Sequence, residues 1–305
     1  LPKCCLNHLQ NKGVKLLPLK LVKRPSKLIV KCPDQAGIIS HISGFLHENK
    51  ANIIDLDQHT TSQKGGLFYQ RLEFETSEVE LDKEEFERRF RDEIAGPYEM
   101  KWRISYGDEI KKAAIFVSKS EHTLLELLWR WKTGYLPMEI QLVVSNHEDL
   151  RDQVESFGLD FLHVPVKKEN KKDAEAIILE QLAKSDLIIL ARYMQILSED
   201  FVSHFPNKII NIHHSFLPAF VGANPYKRAF ERGVKLIGAT AHYVTKDLDA
   251  GPIIEQDVRR VGHRNKINEL KEIGKEIERA ALSKAVKWHL EDRILVHGNR
   301  TIIFA

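Results

Sequence analysis

Short apolar runs separated by helix-like segments constrain the fold of this chain more than any other feature. Segments with helical spacing of apolar residues lie between them, around 124–131 and 173–183. Continuous apolar strands that alternate with helices are typical of a parallel sheet covered on both faces. The sequence therefore predicts an α/β domain over 113–305 with a Rossmann-like, doubly wound sheet. We place its strands at AAIFVS (113–118), EIQLVVSN (139–146), FLHV (161–164), DLIILAR (186–192), KIINIHH (208–214), LIGATAHYVT (236–245) and GPIIEQDVRRV (251–261), with a long helix at about 267–290 to end the domain.

A different pattern precedes this domain. Residues 27–106 read as strand, helix, two strands, a charged helix and a final strand, and GGLFYQRLEFET alternates between apolar and polar residues. The order βαββαβ predicts a ferredoxin-like domain, an antiparallel sheet with two helices on one face. The charged stretch GDEIKK (107–112) is the predicted linker between the two domains.

Basic residues are concentrated at the start of the chain. Residues 1–27 carry seven Lys or Arg and no acid, whereas the whole chain has 46 basic and 43 acidic residues. The body therefore has no basic excess to neutralise a nucleic-acid backbone. No apolar run approaches the roughly 20 residues of a membrane span. We predict that residues 1–26 form a basic, disordered tail and that the chain binds neither nucleic acid nor membrane.

Cysteine usage indicates the compartment. Cys4, Cys5 and Cys32 supply neither a disulfide framework nor a spaced metal site. A reducing, intracellular compartment follows, and we expect the cytoplasm. The organellar matrix is the alternative if the basic tail is the remnant of a targeting segment, although its single Ser is untypical of one.

Polar side chains cluster at the end of the strand KIINIHH. If residues 209–213 are extended, Asn211 and His213 point to one side and His214 points to the other. Ligands of α/β sheets bind at the carboxyl ends of the strands. A structural His or an Asx-type cap would explain each residue alone. The combination predicts part of a site.

The partner of His213 is expected in KDLDAGPI, which follows the next strand. Asp249 lies just before a Gly-Pro turn, and a carboxylate beside an imidazole fixes its tautomer and stabilises the imidazolium. His242 would brace this aspartate from the strand below. The histidines suggest zinc as an alternative, but no Cys or spaced carboxylate pair accompanies them, so we expect no metal.

The stretches NIHHSFLPAFVGANPYKRAF and GATAHYVTKDLDAGPIIEQ resemble the formyltransferase fold of enzymes that use 10-formyltetrahydrofolate. The resemblance covers about 112–305. It implies catalytic roles for the polar residues at these strand ends: a triad of Asn211, His213 and Asp249, supported by His214 and His242.

The same resemblance implies a folate pocket at LARYMQILS, with the loop 246–250 closing over it. Backbone groups of this segment would contact the pterin. Alternatively, the Met and the aliphatic residues of this segment belong to the core. The implied folate-binding residues are Met194, Gln195, Ile196, Leu197 and Asp247.

The N-terminal unit resembles an ACT domain, with PDQAGIISHISGFL as its strand, loop and helix opening. ACT modules commonly bind amino acids or similar effectors between copies, which implies a homo-oligomer, a dimer or a tetramer. The alternative is a folding or dimerisation module without a ligand. An amino-acid effector would contact the loop formed by Asp34, Gln35, Ala36, Gly37 and Ile38.

An ACT domain before a formyltransferase domain resembles the arrangement of the formyltetrahydrofolate deformylases. This implies hydrolysis of 10-formyltetrahydrofolate to tetrahydrofolate and formate, which supplies formate for purine biosynthesis and balances the one-carbon folates. The folate is then the substrate, and no cofactor is implied.

Two sequence features favour a deformylase over a glycinamide ribonucleotide transferase. The transferases cradle their acceptor's phosphate in a Gly-rich loop after the first strand, whereas VSKSEHTLLELLWRW contains no Gly. Their His-Pro is His213-His214 here, as in the deformylases. Two alternatives stay open: formyl transfer to a non-phosphorylated amine, and a non-catalytic sensor with a vestigial folate site.

Overall fold

The computed structural model describes residues 24–218 and 225–305. Most of the predicted basic tail, including Cys4 and Cys5, therefore lies outside the described residues. Ser26, which the sequence assigned to the tail, is buried and begins the first strand. Within the described ranges, no helix has the length and apolar character needed to cross a membrane.

The N-terminal domain is an antiparallel sheet with both helices on one face, so the ferredoxin-like prediction is confirmed. Its strand order is β2-β3-β1-β4. Alternate residues of a strand share a face, and Leu28 and Val30 of the first strand pack with Ile42 and Phe86 of the two helices in one core. The elements are β1 (Ser26–Pro33), α1 (Ile38–Glu48), β2 (Asn52–Thr60), β3 (Leu67–Glu75), α2 (Lys83–Arg89), which continues as a π-helical turn (Phe90–Ala95), and β4 (Lys101–Ser105).

The C-terminal domain contains the predicted doubly wound sheet. In the part of the chain that the structure describes, its order is β11-β10-β9-β8-β5-β6-β7. The strands are β5 (Lys111–Val117), β6 (Met138–Ser145), β7 (Phe161–His163), β8 (Leu187–Leu190), β9 (Ile209–His213), β10 (Leu236–Tyr243) and β11 (Ile253–Arg260). The helices are α3 (His122–Lys132), α4 (Arg151–Glu155), α5 (Lys171–Gln181), α6 (Glu199–Ser203), α7 (Pro225–Glu231) and α8 (Ile267–Leu290).

Each face of this sheet has its own apolar core. Along β5, Ile115 packs with the side of the sheet covered by α3 and α8, and Phe116 packs with the side covered by α5 and α6. A strand buried on both faces must be apolar at every position, which explains the continuous apolar runs of the sequence.

The sheet is parallel except at one edge. Strands β5 to β9 are parallel, whereas β10 is antiparallel to both β9 and β11. The connection between β10 and β11 is too short for a parallel crossover, which needs a dozen or more residues. The sequence prediction did not distinguish this antiparallel edge.

Two predicted boundaries are wrong. The linker is shorter than 107–112 because β5 begins at Lys111. The long helix does not end the domain, because a hairpin of β12 (Ile294–His297) and β13 (Arg300–Ile303) follows it. Gly298 gives this hairpin its turn with φ +58°, a conformation that Gly adopts without steric cost. Leu295 of the hairpin packs on the open face of the N-terminal sheet.

Candidate functional site

Strand β9 places two of the predicted residues at one end of the sheet. It lies between β8 and β10, and Asn211 is opposite His242 in the ladder with β10. Asn211 and His213 line the same cavity, as the alternation along the strand predicts.

His214 does not point away from this cavity, so its predicted orientation is wrong. Its ring stacks on the ring of His213 with 5.2 Å between centroids, and it lines the same cavity. The reason is that β9 ends at His213, so the alternation of side chains does not extend to the next residue. Burial, followed by the nearby charge of Arg192, lowers the pKa of His214 to about 4.

Asp249 lies in the loop after β10 and meets His213. Its Oδ2 is 3.1 Å from Nδ1 of the imidazole. The hydrogen bond from His213, followed by the nearby imidazole of His242, holds the pKa of this carboxyl well below its usual range. Asp249 has φ +54°, a conformation that costs a non-Gly residue about 1–3 kcal/mol and is found often at functional sites.

His242 contacts both Asn211 and Asp249. Its Nδ1 donates to the carbonyl oxygen of Tyr243 at 3.0 Å. The neutral ring therefore has a lone pair on Nε2, which accepts from Nδ2 of Asn211 at 3.2 Å. The same Nε2 is 3.6 Å from Oδ1 of Asp249. The structure thus brings together the residues that were predicted as triad and support.

Nε2 of His213 is buried and has no hydrogen-bond partner among residues 24–218 and 225–305. Asp249 occupies Nδ1, so Nε2 is the nitrogen left for a ligand. Asn211 uses one N–H on His242, and an amide nitrogen has two. The site therefore offers an imidazole nitrogen and an amide N–H at one position.

The predicted folate segment lines the same cavity, which has a volume of about 880 Å³. Met194 and Ile196 are 60% and 62% exposed, so they are not part of the core. The hydroxyl of Ser118, in the turn after β5, accepts from the backbone N–H of Met194 at 2.9 Å and donates to Asn146 at 2.6 Å. This bond holds the segment beside the end of β5.

One predicted folate residue lies elsewhere. Lys246 and Leu248 of the loop 246–250 line the cavity, whereas Asp247 is exposed and belongs to the turn, where its carbonyl oxygen accepts from Thr245 at 3.2 Å. Alternate loop residues turn to opposite sides, which the sequence did not indicate.

A second charged cluster in this cavity was missed by the sequence analysis. Glu278 of α8 is 2% exposed and accepts from Nε2 of His122 at 2.8 Å and from the Tyr226 hydroxyl at 2.9 Å. Nε of Arg192 lies 3.5 Å from the same carboxylate. A Cβ on Gly274 would lie 1.9 Å from the Tyr226 hydroxyl oxygen, so a larger residue at this helix position would displace the Tyr226 side chain.

The sequence contains only weak signals for this cluster around Glu278. Arg192 lies two residues after the end of the apolar strand β8, and its φ of +66° is unusual for a non-Gly residue. Glu278 is a Glu at a core-facing position of a helix, which a helical projection of α8 reveals. No local motif links these residues, because they come from four separate elements.

The predicted effector loop of the N-terminal domain divides into exposed and buried parts. Gln35, Ala36 and Gly37 are exposed and Asp34 is half-buried. Ile38 packs in the core of the domain, so its predicted ligand contact is wrong. Within the described residues, no group of His, Cys, Asp and Glu is arranged to hold a metal ion.

Comparisons with known proteins agree with this architecture. Residues 111–286 match the formyl transferase family, and residues 26–91 match the ACT domain family. The chain is 54% identical over 280 residues to a formyltetrahydrofolate deformylase of Bacillus subtilis, covering 91% of this chain and 93% of that one. A crystal structure of a deformylase from Pseudomonas syringae superposes with a TM-score of 0.89 at 42% identity, covering 92% and 95% of the two chains.

The match to a transferase is narrower. A glycinamide ribonucleotide transformylase from Symbiobacterium toebii gives a TM-score of 0.60 at 29% identity, over 64% of this chain and 95% of that one. Fold and site therefore define an ACT-domain protein of the formyltransferase-fold class. Within this class, the chain belongs to the formyltetrahydrofolate deformylase family.

Proposed function

We propose that this chain hydrolyses 10-formyltetrahydrofolate to tetrahydrofolate and formate at the strand ends that carry Asn211, His213 and Asp249. One observation carries the proposal: among the described residues, the His213–Asp249 pair at 3.1 Å leaves Nε2 of the imidazole unpaired, beside the Asn211 amide, which uses only one of its two N–H groups there. A formyl group needs this combination for attack by water.

The two donors stabilise the charge that develops during attack. When water attacks the formyl carbon, the carbonyl oxygen becomes an oxyanion. The second N–H of Asn211 and Nε2–H of protonated His213 donate to this oxygen. Preorganised donors of this kind are often the largest contribution to catalysis of acyl transfer.

Asp249 orients His213 and takes or relays a proton from the attacking water. The tetrahedral adduct then loses its bond to N10, which must be protonated to leave. One proton of the water ends on N10, the oxygen stays on the carbon, and the formic acid ionises to formate. This sequence needs no metal and no cofactor, and we propose that the enzyme uses neither.

The cavity supports a folate substrate with its pterin at Met194–Leu197. The exposed side chains of Met194, Ile196 and Leu248 provide apolar surface at the cavity, which suits a flat aromatic ring. The loop 246–250 closes one side of this pocket. Formate release for purine biosynthesis and control of the one-carbon folate pool are the roles that this reaction serves.

Water, and not a phosphorylated amine, is the proposed acceptor. Where the transferases have a Gly-rich loop, this chain has Ser118 tied to two neighbours and His122 bonded to Glu278. The segment therefore lacks the bare backbone N–H groups of glycines that would receive a phosphate.

The ACT domain is proposed as a regulatory module that pairs with a second copy. Its strand β2 exposes Ile54 (49%) and Leu56 (36%) next to a strand edge that is unpaired within residues 24–218 and 225–305, a surface that another sheet covers readily. An amino-acid effector at the Asp34–Gly37 loop and a cytoplasmic location remain predictions. A monomeric mass in solution would contradict the dimer.

Formate release from 10-formyltetrahydrofolate without an acceptor tests the activity. The purified protein should release formate steadily, and added amines should neither be required nor be formylated. If formate or a formyl product forms only when an amine is present, the chain is a formyltransferase. If the folate binds without turnover in either condition, the chain is a sensor.

A further inference from the structure

The C-terminal hairpin reaches the loop that carries Asp249. Its strands β12 and β13 are joined by a two-residue turn of Gly298 and Asn299, with Gly at the first position as in type II′ turns. From this turn, Nδ2 of Asn299 donates to the carbonyl oxygen of Ala250 at 3.0 Å. The tip of the hairpin therefore bonds to the residue that directly follows Asp249.

The conformation of Asp249 depends on support from its surroundings. Its φ of +54° lies in the left-handed region, which a non-Gly residue keeps only where the surrounding structure holds it there. In this conformation its Oδ2 is 3.1 Å from Nδ1 of His213. Relaxation to a negative φ would rotate the backbone at Asp249 and move its carboxylate relative to the imidazole.

Two hydrogen bonds hold Ala250, one at each of its backbone polar groups. Its N–H donates to the carbonyl oxygen of Asp247 at 3.3 Å, within the loop itself. Its carbonyl oxygen accepts from Asn299, which belongs to a separate element. The first bond closes a local turn and moves with the loop, whereas the second ties the loop to the hairpin. Asn299 therefore fixes this point of the loop relative to the hairpin.

The hairpin makes a second bond just beyond the loop. The hydroxyl of Thr301 donates to the carbonyl oxygen of Ile253 at 2.6 Å, at the start of β11. Before this strand, an added Cβ on Gly251 would lie 1.8 Å from the carbonyl oxygen of Tyr243. The segment after Asp249 is thus held both by the hairpin and by the main chain of β10.

The hairpin is a fixed support because its own residues are anchored. Ile294 packs in the core of the C-terminal domain. Leu295 packs with Ile29 and Tyr69 of the N-terminal sheet. The Tyr69 hydroxyl also bonds to Nδ1 of His297, the last residue of β12, at 2.7 Å. Elements with many buried apolar contacts open less often than exposed loops, so the hairpin is more rigid than the loop that it contacts.

We propose that Asn299 is a positioning residue for hydrolysis: through its bond to Ala250, the C-terminal hairpin keeps Asp249 where its carboxylate meets His213. Asn299 is exposed and is not among the residues that line the catalytic cavity, so it acts through Asp249 and not on the folate. This inference rests on the proposed function, because it concerns the aspartate that is assigned to the attack of water.

Loss of the amide donor should slow the chemical step without weakening folate binding. Asn299→Asp keeps the size of the side chain and its preference for turns but has no N–H to donate. We expect the single-turnover rate of formate release to fall about three- to tenfold, the range that one net hydrogen bond supplies. The Kd of tetrahydrofolate should stay within about twofold. An Asn299→Asp variant with the wild-type rate would overturn the proposal.

Asn170→Ala is the matched control for this variant. Nδ2 of Asn170 also donates to a backbone carbonyl oxygen, that of Pro165 at 2.9 Å, but in a loop that carries none of the proposed catalytic residues. We expect the wild-type rate of formate release. Equal losses in Asn170→Ala and Asn299→Asp would show a general effect of removing such a bond and would overturn the proposal.

A double-mutant cycle with Asp249→Asn separates positioning from a general structural effect. Once the carboxylate is absent, its position no longer affects the chemical step. Asn299→Asp in the Asp249→Asn background should therefore lower the single-turnover rate by less than about twofold. A purely structural role would lower the rate by the same factor in both backgrounds, and that result would overturn the proposal.

Hydrogen exchange tests the contact without turnover. Exchange of the amides in 246–252, which include the bonded N–H of Ala250, reports how often the loop opens. Asn299→Asp should raise this exchange about threefold or more, and Asn170→Ala should leave it unchanged. Unchanged exchange in Asn299→Asp would overturn the proposal. If the wild type releases no formate, the proposed function fails, while the exchange rates still show whether Asn299 holds the loop.

Discussion

Asp249 and Glu278 line the same cavity. They differ in whether the residues that bond to them have a polar atom left for a ligand. Asp249 lies in a loop and pairs with a histidine whose other nitrogen is unpaired among the described residues. Glu278 lies within α8, and His122, Tyr226 and Arg192 surround its two oxygens. The comparison teaches that burial and a histidine partner do not define a catalytic carboxylate. What distinguishes Asp249 is that its partner His213 has a second ring nitrogen, Nε2, with no hydrogen-bond partner among the described residues.

The largest effect is expected on the Asp249 side. His213→Ala removes the imidazole that donates to the oxyanion, and kcat for formate release should fall about 10³- to 10⁴-fold. Steady-state kinetics measure the effect, and His263→Ala, which changes an exposed histidine, should leave kcat unchanged. A His213→Ala variant with near-normal kcat would contradict the mechanism.

Glu278 should dominate stability. Glu278→Ala leaves the charge of Arg192 buried beside no anion, and such a change costs about 3–5 kcal/mol in the free energy of unfolding. Urea denaturation measures this value. Glu276→Ala changes an exposed residue of the same helix and should shift it by less than about 0.5 kcal/mol. Equal losses in the two variants would show that the cluster contributes no stability.

Asn211→Ala tests the second of the two donors to the oxyanion. Loss of one donor should lower kcat about 10²- to 10³-fold. KM should change little, because the bond forms in the transition state and not in the ground state. A rise in KM with constant kcat would indicate that Asn211 only binds the folate.

Gly274→Ala tests how tightly the Glu278 cluster is packed. A Cβ at this position would lie 1.9 Å from the Tyr226 hydroxyl oxygen, so the Tyr must move from Glu278. We expect a loss of about 1–3 kcal/mol in the free energy of unfolding. Gly44→Ala in α1 is the matched control, because nothing lies within 4 Å of the added atom. It should stabilise the protein by up to about 1 kcal/mol. If both variants change the free energy of unfolding in the same direction, the packing argument is contradicted.

The smallest effect near neutral pH concerns His214, which lies between the two carboxylates. Its folded-state pKa of about 4 is below that of the unfolded chain, about 6.5. The unfolded state therefore binds a proton first, and stability that is complete above about pH 6.5 declines as the pH falls toward 4. Urea denaturation between these pH values should show a shallower decline for His214→Asn. Identical slopes would show that His214 is not held neutral in the folded protein.

The two carboxylates also show what a sequence reveals. The position of Asp249 could be predicted because its neighbours Gly251 and Pro252 mark a turn and because the strand ends nearby carry polar residues. The Glu278 cluster could not, since His122 and Glu278 are 156 residues apart and only the fold brings them together.

The fold shows the same division between local and long-range information. Apolar runs predicted β5, β6, β8 and β9 because these strands are buried on both faces, and they predicted β7 although it is a half-buried edge strand. The final hairpin was missed because its strands are short and pack on the distant ACT sheet through Leu295 and Phe304. The orientation of His214 was mispredicted because alternation holds only inside a strand.

Single-turnover formate release by Asp249→Asn and Glu278→Gln, compared with the wild type, tests the central claim most directly. Asp249→Asn should fold normally and slow the chemical step about 10²- to 10⁴-fold, because His213 loses the carboxylate that orients it and the attacking water loses the group that takes its proton. Glu278→Gln should unfold at lower urea concentration and keep the rate of the chemical step within about tenfold of the wild type. A Glu278→Gln variant as slow as Asp249→Asn, or an Asp249→Asn variant with the wild-type rate, would contradict the assignment of catalysis to Asp249.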